Sequence, residues 1–320
     1  MDFALTEDQV LLCETARKLL DRECPTSLLR AHIDDPSVYA PLWQHLREYA
    51  ALGTGPATDL CLFLEETGFA AAPGPFLATA LFTSLTGEDA PGTVAIAGTD
   101  GVWQPAADPV KTFVLEADRV ERVAVVLPGP QVAVADTPLD ALRFVATVDY
   151  SRRVFELDTS ALALDARPLA GDQLEAWLDR AYVSIAAEMV GTTRRIFTMA
   201  LQYAKDRVQF DRPIGSFQAI QHRLAEASLA LERATAAVHY AAMTVDARHP
   251  ERGRACHVAK AAAGEAARRI LKDGIQVHGG IGYTWEHDLH LFLRRATADE
   301  YLLGPTGWHH DRLADLLFLR

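Results

Sequence analysis

Apolar and polar positions along residues 4–21 repeat with the helical period, and Val10, Leu11, Ala16, Leu19 and Leu20 form one stripe. Thr6 stands in front of that stripe as an N-cap, and Gln9, three positions on, completes a capping box. Cys24-Pro25 ends the helix, because the residue before a proline is driven out of the helical region. Helical patterns recur at about 40–50 (Leu42, Trp43, Leu46) and 57–70 (Leu60, Leu62, Phe63, Leu64), with Gly53-Thr54-Gly55-Pro56 between them. A second breaker, Ala71-Ala72-Pro73-Gly74-Pro75, precedes an apolar helix from Phe76 to Leu85. The first ninety residues therefore read as all-helical.

The texture changes near Pro91. Short β-rich runs follow at 94–97, 113–115, 123–127, 132–134, 144–148 and 153–157, separated by Gly, Pro and Asp. Strands this short and this regularly spaced predict a small barrel or sandwich. From Asp172 the helical period returns and lasts to the end, with helices expected at about 172–205, 216–247, 251–277, 286–296 and 307–318. The long segments between 172 and 277 are alanine-rich and carry few breakers, as suits closely packed antiparallel helices. The expected organisation is mostly α with a central β domain. A helical domain spans 1–90, a β-barrel or sandwich domain 91–165 and a helical bundle 166–320.

Charge narrows the function. With 31 Lys and Arg against 43 Asp and Glu, the net charge of −12 argues against nucleic-acid binding, which needs a cationic surplus. It does not exclude a phosphate-bearing cofactor held by local arginines or a helix N-terminus. No apolar run reaches the roughly 18 residues a membrane span requires. Asp2, Glu7 and Asp8 are unlike the basic start of a signal peptide, so a cytoplasmic location is expected. Cys13, Cys24, Cys61 and Cys256 are scattered and read as reduced packing residues. The one adjacent pair, Cys256-His257, points apart on a helix, and no metal site is expected.

Two segments carry candidate chemistry. Arg207, Arg212 and Arg223 lie on and just after a loop that breaks at Pro213 and restarts at Gly215-Ser216. Ser216 can cap the next helix, placing its positive end beside the arginines, and that combination can bind a diphosphate. Some seventy residues on, Gln276-Val277-His278-Gly279-Gly280-Ile281-Gly282 brings three glycines that let backbone approach a ligand closely. A helix stop explains one of those glycines, not three with a flanking Gln.

Together these segments resemble the C-terminal domain of the acyl-CoA dehydrogenases. The resemblance rests on Tyr203-Ala204, Arg207, Gln209-Phe210 and Pro213-Ile214, on Phe217-Gln218 and Gln221-His222, and on Gln276, His278-Gly279-Gly280, Gly282-Tyr283-Thr284 and Glu286. It is specific over about 175–300 and looser at Phe3-Ala4-Leu5-Thr6-Glu7-Asp8-Gln9. It implies that family's fold, with an N-terminal helical domain, a small β-barrel and a C-terminal four-helix bundle. It also implies α,β-dehydrogenation of an acyl-CoA with FAD as cofactor and a flavoprotein as electron acceptor. Arg207 and Phe210 would touch FAD across a subunit interface, and Gln276, Gly279 and Gly280 its adenosine diphosphate part. Members assemble as homotetramers or heterotetramers. Glu286 would be a structural ion-pair partner of Arg294 or Arg295.

The departures from the family are as informative. The reaction needs a carboxylate to take the α-proton while the flavin accepts hydride from the β-carbon. In most members this Glu lies about nine residues beyond an Arg, which here lands on Leu303. In others it lies ten residues before the glycine equivalent to Gly191, which is Ala181. Asp211 replaces the usual Gly of the Phe-Gly step, and the flavin-touching segment after the base reads Gly304-Pro305-Thr306. The Thr-Glu-Pro-x-x-Gly-Ser stretch of the middle domain is missing, and Ala50-Ala51-Leu52-Gly53-Thr54 stands where a Pro-Glu-x-x-Gly-Gly loop belongs. This pattern is similar to the base-lacking partner subunits of heteromeric acyl-CoA dehydrogenases, including those acting on steroid side-chain CoA esters. The expected role is that of such a partner, joining a catalytic subunit at the FAD interface. The competing readings are a homomeric dehydrogenase using Glu300, Asp299, Asp179 or Glu188 as a displaced base, a flavoprotein of another reaction class, and a structural homologue without FAD.

Overall fold

The computed structural model describes residues 3–318. Five helices open the chain: α1 (Glu7–Glu23), α2 (Thr26–Asp34), α3 (Ala40–Leu46), α4 (Ala57–Ala70) and α5 (Phe76–Thr86), with a 3₁₀ segment Arg47–Gly53 after α3. The capping box at α1 forms, with the Gln9 amide donating to Thr6 Oγ1 at 3.3 Å and the Thr6 amide to Gln9 Oε1 at 3.1 Å. Helix α2 was not expected, because its nine residues are too few to establish a period after Pro25.

Seven strands follow: β1 (Gly92–Ala95), β2 (Val110–Leu115), β3 (Arg122–Leu127), β4 (Gln131–Asp136), β5 (Leu142–Val145), β6 (Val154–Asp158) and β7 (Arg167–Pro168). They form two sheets, ordered β1-β3-β4-β7 and β2-β6-β5, with β1 and β3 parallel and the remaining pairs antiparallel. Val123 and Val125 of one sheet meet Val114, Phe155 and Leu157 of the other in a small apolar core.

The last part holds α6 (Gln173–Asp206), a hairpin of β8 (Val208–Gln209) and β9 (Arg212–Pro213), α7 (Gln218–Asp246), α8 (Arg252–His278), α9 (Leu289–Tyr301) and α10 (Thr306–Phe318). A 3₁₀ turn, Gly279–Tyr283, follows α8. Helix α4 lies against α6 almost backbone to backbone. A Cβ on Gly191 would come within 1.9 Å of the Glu65 carbonyl, and one on Gly68 within 2.0 Å of that of Glu188. Asp246 at the end of α7 caps α4, accepting from the amides of Ala57 at 2.5 Å and Thr58 at 3.0 Å. One core thus runs through the N-terminal helices and the bundle. Among the described residues no helix is long and apolar enough to cross a membrane.

Candidate functional site

The two candidate segments meet at one end of the bundle. Helix α6 delivers Arg207 at its C-cap, α8 delivers Gly279 at its own, and the ring of Tyr203 stacks on His278 at 4.5 Å to join them. Beneath them Ala200, Ala204, Leu224 and Val277 form an apolar cluster. Between β8 and β9 the chain turns on Phe210 and Asp211 alone, both with positive φ (55° and 61°), the pattern of a type I′ hairpin. That geometry accounts for the glycine the family carries at Asp211, and Asp is among the few residues that tolerate it. Phe210 tolerates it poorly and is 87% exposed, so a strained aromatic ring stands at the tip of the hairpin.

The arginines do not converge as expected. Arg207 is exposed, and its guanidinium has no hydrogen-bond or ion-pair partner among the described residues. Arg212 instead lies 4.0 Å over the ring of Phe217, and Arg223, more than a turn into α7, binds Asp273 at 2.5 Å. Nor does Ser216 cap α7. Its hydroxyl donates to the Pro213 carbonyl at 2.8 Å and Phe217 occupies the cap position, because the restart after Pro213 is a 3₁₀ turn one residue longer than a direct cap allows. At the glycine turn only Gly279 needs a glycine conformation, at φ 64°. A Cβ on Gly279 or Gly280 would meet nothing within 4 Å, so the backbone there faces open space, with Gln276 exposed beside it. His278 donates through Nδ1 to the Gly274 carbonyl at 2.8 Å, which leaves its buried Nε2 unpartnered. Sequence reasoning quoted His278 only as part of the motif.

Leu303 sits in a different setting. It is 3% exposed and has φ 56°, followed by Gly304 at 100°. A buried leucine gains nothing from that conformation, which costs about 1–2 kcal/mol. The turn is pinned from below. Buried Lys260 donates to the carbonyls of Glu300 at 2.9 Å and Gly304 at 3.0 Å, and burial lowers its pKa to about 7. His309 donates through Nε2 to the Leu303 carbonyl at 3.1 Å. Leu303 lines a cavity of about 20 Å³ with Trp103, Phe113, Trp177 and Ile185. That is room for a single water, against the roughly 300 Å³ or more of a small-molecule pocket. Ala181 is fully buried on the same helix, one turn from both Trp177 and Ile185. Thr306, which follows this turn, is directed inward to Glu300 Oε1 at 3.2 Å.

The four carboxylates that could serve as a displaced base are all engaged by arginines. Asp179 is bound by Arg252 at 3.0 Å and Glu300 by Arg268 at 3.1 Å. Glu188 and Asp299 belong to a buried cluster that ties the loop before β6 to α6 and α9. Arg295 bridges Asp149 at 2.6 Å and Glu188 at 3.2 Å, while Arg152 bridges Glu188 at 2.6 Å and Asp299. Glu286 pairs with neither expected mate. It stays in solvent ahead of α9, whereas Arg294 lies over the rings of Tyr150 and Trp285 and Arg295 turns into the cluster.

Two guanidiniums against three carboxylates leave the cluster one charge short of neutral. Burial, opposed by Arg152 and reinforced by Glu188, pushes Asp299 up to about 7, and its Oδ2 has no partner among the described residues. Between about pH 4 and 7 the folded chain therefore keeps a proton that the unfolded chain releases. The stability from this group is full at low pH and is lost as pH rises toward 7. Asp299→Asn should flatten that decline, which is of order 2–3 kcal/mol between pH 5 and 7.5. Urea midpoints of both proteins at the two pH values check it, and equal slopes would refute it.

Residues 172–318 match the family described as acyl-CoA dehydrogenase, C-terminal domain. The chain is 31% identical over 313 residues to the acyl-CoA dehydrogenase IpdE2 of Mycobacterium tuberculosis, covering 93% of each protein. It is also 31% identical to IpdE2 of Mycolicibacterium smegmatis, covering 98% of this chain and 100% of that one. Among solved structures it resembles the ChsE4–ChsE5 complex of Mycobacterium tuberculosis, with a TM-score of 0.87 at 22% identity over 99% of both chains. It likewise resembles the Tcur3481–Tcur3483 steroid ACAD, with a TM-score of 0.85 at 25% identity over 97% of this chain and 98% of that one. Similarity spread over nearly the whole length, together with the matched C-terminal bundle, shows that the chain belongs to the acyl-CoA dehydrogenase family.

Proposed function

We propose that this chain is the partner subunit of a hetero-oligomeric, FAD-dependent acyl-CoA dehydrogenase, contributing to the FAD interface without a catalytic base. The observation that carries this reading is the closed pocket at Leu303. Both positions where the family keeps its base hold side chains that cannot take a proton, and about 20 Å³ admits neither a thioester nor a flavin ring. The chain's own residues therefore do not fit the flavin end of FAD. They do fit the diphosphate end, presented outward. The backbone at Gly279 and Gly280 faces open space, Arg207 is an exposed and unpaired guanidinium, and Gln276 lies beside them.

In such an assembly FAD supplies the hydride acceptor for the β-carbon of the acyl-CoA. Arg207 neutralises diphosphate charge, Phe210 covers the cofactor at the tip of its hairpin, and the partner provides the carboxylate that removes the α-proton. The name of the Tcur3481–Tcur3483 neighbour supports steroid CoA esters as the substrate class.

Co-expression with a full-length dehydrogenase from the same genome tests the reading. The pair should be yellow and reduce its flavin with an acyl-CoA, and this chain alone should not. Arg207→Ala in the pair should lower FAD affinity by about tenfold, the value of one charge-assisted contact of about 1.5 kcal/mol. Turnover by this chain alone would overturn the assignment, and undiminished flavin content in the variant pair would remove Arg207 from it.

A further inference from the structure

At the other end of α8 the chain gathers three arginines around an open cleft. A cleft of about 590 Å³ opens between the start of α6, the end of α7 and the start of α8. Ser84, Gln173 and Trp177 line it with three arginines, Arg180, Arg248 and Arg252. With α8 27 residues long, the cleft lies about 40 Å from Gly279, so it is separate from the cofactor-facing end.

The arginines are only partly used. Arg180 donates through Nη2 to the carbonyls of Leu52 at 3.0 Å and Gly55 at 2.8 Å, but its buried Nε has no partner among the described residues. Arg248 follows α7 with φ 47°, and its exposed side chain makes no hydrogen bond or ion pair among the described residues. Arg252 is held by Asp179 at 3.0 Å and by Asp172 at 2.5 Å. Asp172 is the one carboxylate lining the cleft, and its side chain is 71% exposed, so a ligand can displace it from Arg252 at little cost. Asp246, whose charge also reaches Arg180, is committed to the N-terminus of α4. Three guanidiniums against Asp172 and Asp179 leave the hollow one positive charge in excess, in a chain of net charge −12.

We propose that this cleft binds a multivalent oxyanion, a phosphoryl or dicarboxylate group, gripped by Arg248 and the free edge of Arg180. Trp177 walls it off from the closed pocket at Leu303, since the same ring lines both spaces and is fixed by its Nε1 donating to the Leu81 carbonyl at 2.9 Å. The ligand is therefore not the thioester substrate reaching through. It bridges α6, α7 and α8, and through Arg180 it reaches the 3₁₀ segment of the N-terminal helices, so binding stiffens that junction.

Calorimetric titration of the protein, in the assembly in which it purifies, with inorganic pyrophosphate and separately with citrate tests the site. One ion should bind saturably per chain at millimolar concentration or below. Binding of pyrophosphate alone identifies phosphoryl chemistry, of citrate alone carboxylate chemistry, and of both a general dianion site. Arg248→Gln, at an exposed and unbonded side chain, should weaken binding about tenfold, as the loss of one charge-assisted contact does. Arg180→Gln should act the same way, while Arg143→Gln, at an exposed arginine of β5, should leave binding unchanged. No saturable binding of either ion, or binding that survives Arg248→Gln but not Arg143→Gln, would overturn the proposal.

Discussion

Replacing Arg295 by leucine should destabilise the chain by about 3–5 kcal/mol, the cost of removing one partner from a buried ion cluster. Its guanidinium is 1% exposed and reaches Asp149 at 2.6 Å, Glu188 at 3.2 Å and the Ser151 hydroxyl at 2.8 Å. Without it Asp149 keeps only the two bonds from Ser151, and Arg152 alone must balance three carboxylates. At present burial opposes the ionised form of Asp149, yet Arg295, Arg152 and Ser151 hold it below the usual carboxylate range. In the variant that balance reverses and Asp149 should take up a proton near neutral pH. Arg295→Lys should recover only part of the loss, because one ammonium cannot bridge carboxylates on two elements as a planar fork does. Urea unfolding of the three proteins at pH 7 checks the order. A loss below 1 kcal/mol in Arg295→Leu would mean the cluster is not the joint between the strand segment, α6 and α9.

None of that cluster was legible as a unit, because its ion pairs join residues 36 to 147 positions apart and only the fold closes the distance. What could be read was local. The period of 3.6 located α1 to within three residues and the alanine-rich α6, α7 and α8 to within two, since each is long enough for the pattern to repeat. The same logic failed at α2, and the hairpin at Phe210-Asp211 went unseen because neither residue is a usual type I′ pair. At the candidate site the residue types were visible but their aim was not. Arg223 and Ser216 spend their polar atoms within the bundle and Arg212 lies over a ring, leaving Arg207, of the three arginines, with no contact partner among the described residues. Residue identity alone flagged Leu303 and Ala181 as unable to act as bases, once the resemblance had said where a base belongs. That the space around them is filled came only from the packing of Trp103, Phe113 and Trp177.

Leu303→Glu restores the family's residue at the turn and should not restore its activity. The turn is pinned, with Leu303 and Gly304 at positive φ and held by Lys260 and His309, so its backbone should survive the substitution. Its surroundings would be wrong, an apolar cavity of about 20 Å³ with no room for the substrate whose proton it should take. Keeping a glutamate of ordinary pKa about 4.3 neutral at pH 7 costs about 3–4 kcal/mol, so the variant should be destabilised by roughly that amount. Because the buried form is the protonated one, the deficit should shrink as pH falls toward 5 and be largest above pH 7. Urea midpoints at pH 5 and 7.5 read that trend, and anaerobic addition of an acyl-CoA to the variant with FAD reads activity. Flavin bleaching by the variant alone would show that a working site lies latent behind Leu303 and that the partner-subunit reading is wrong. Loss of stability without bleaching places the missing function in the packing around the base as well as in the base, which a single substitution does not undo.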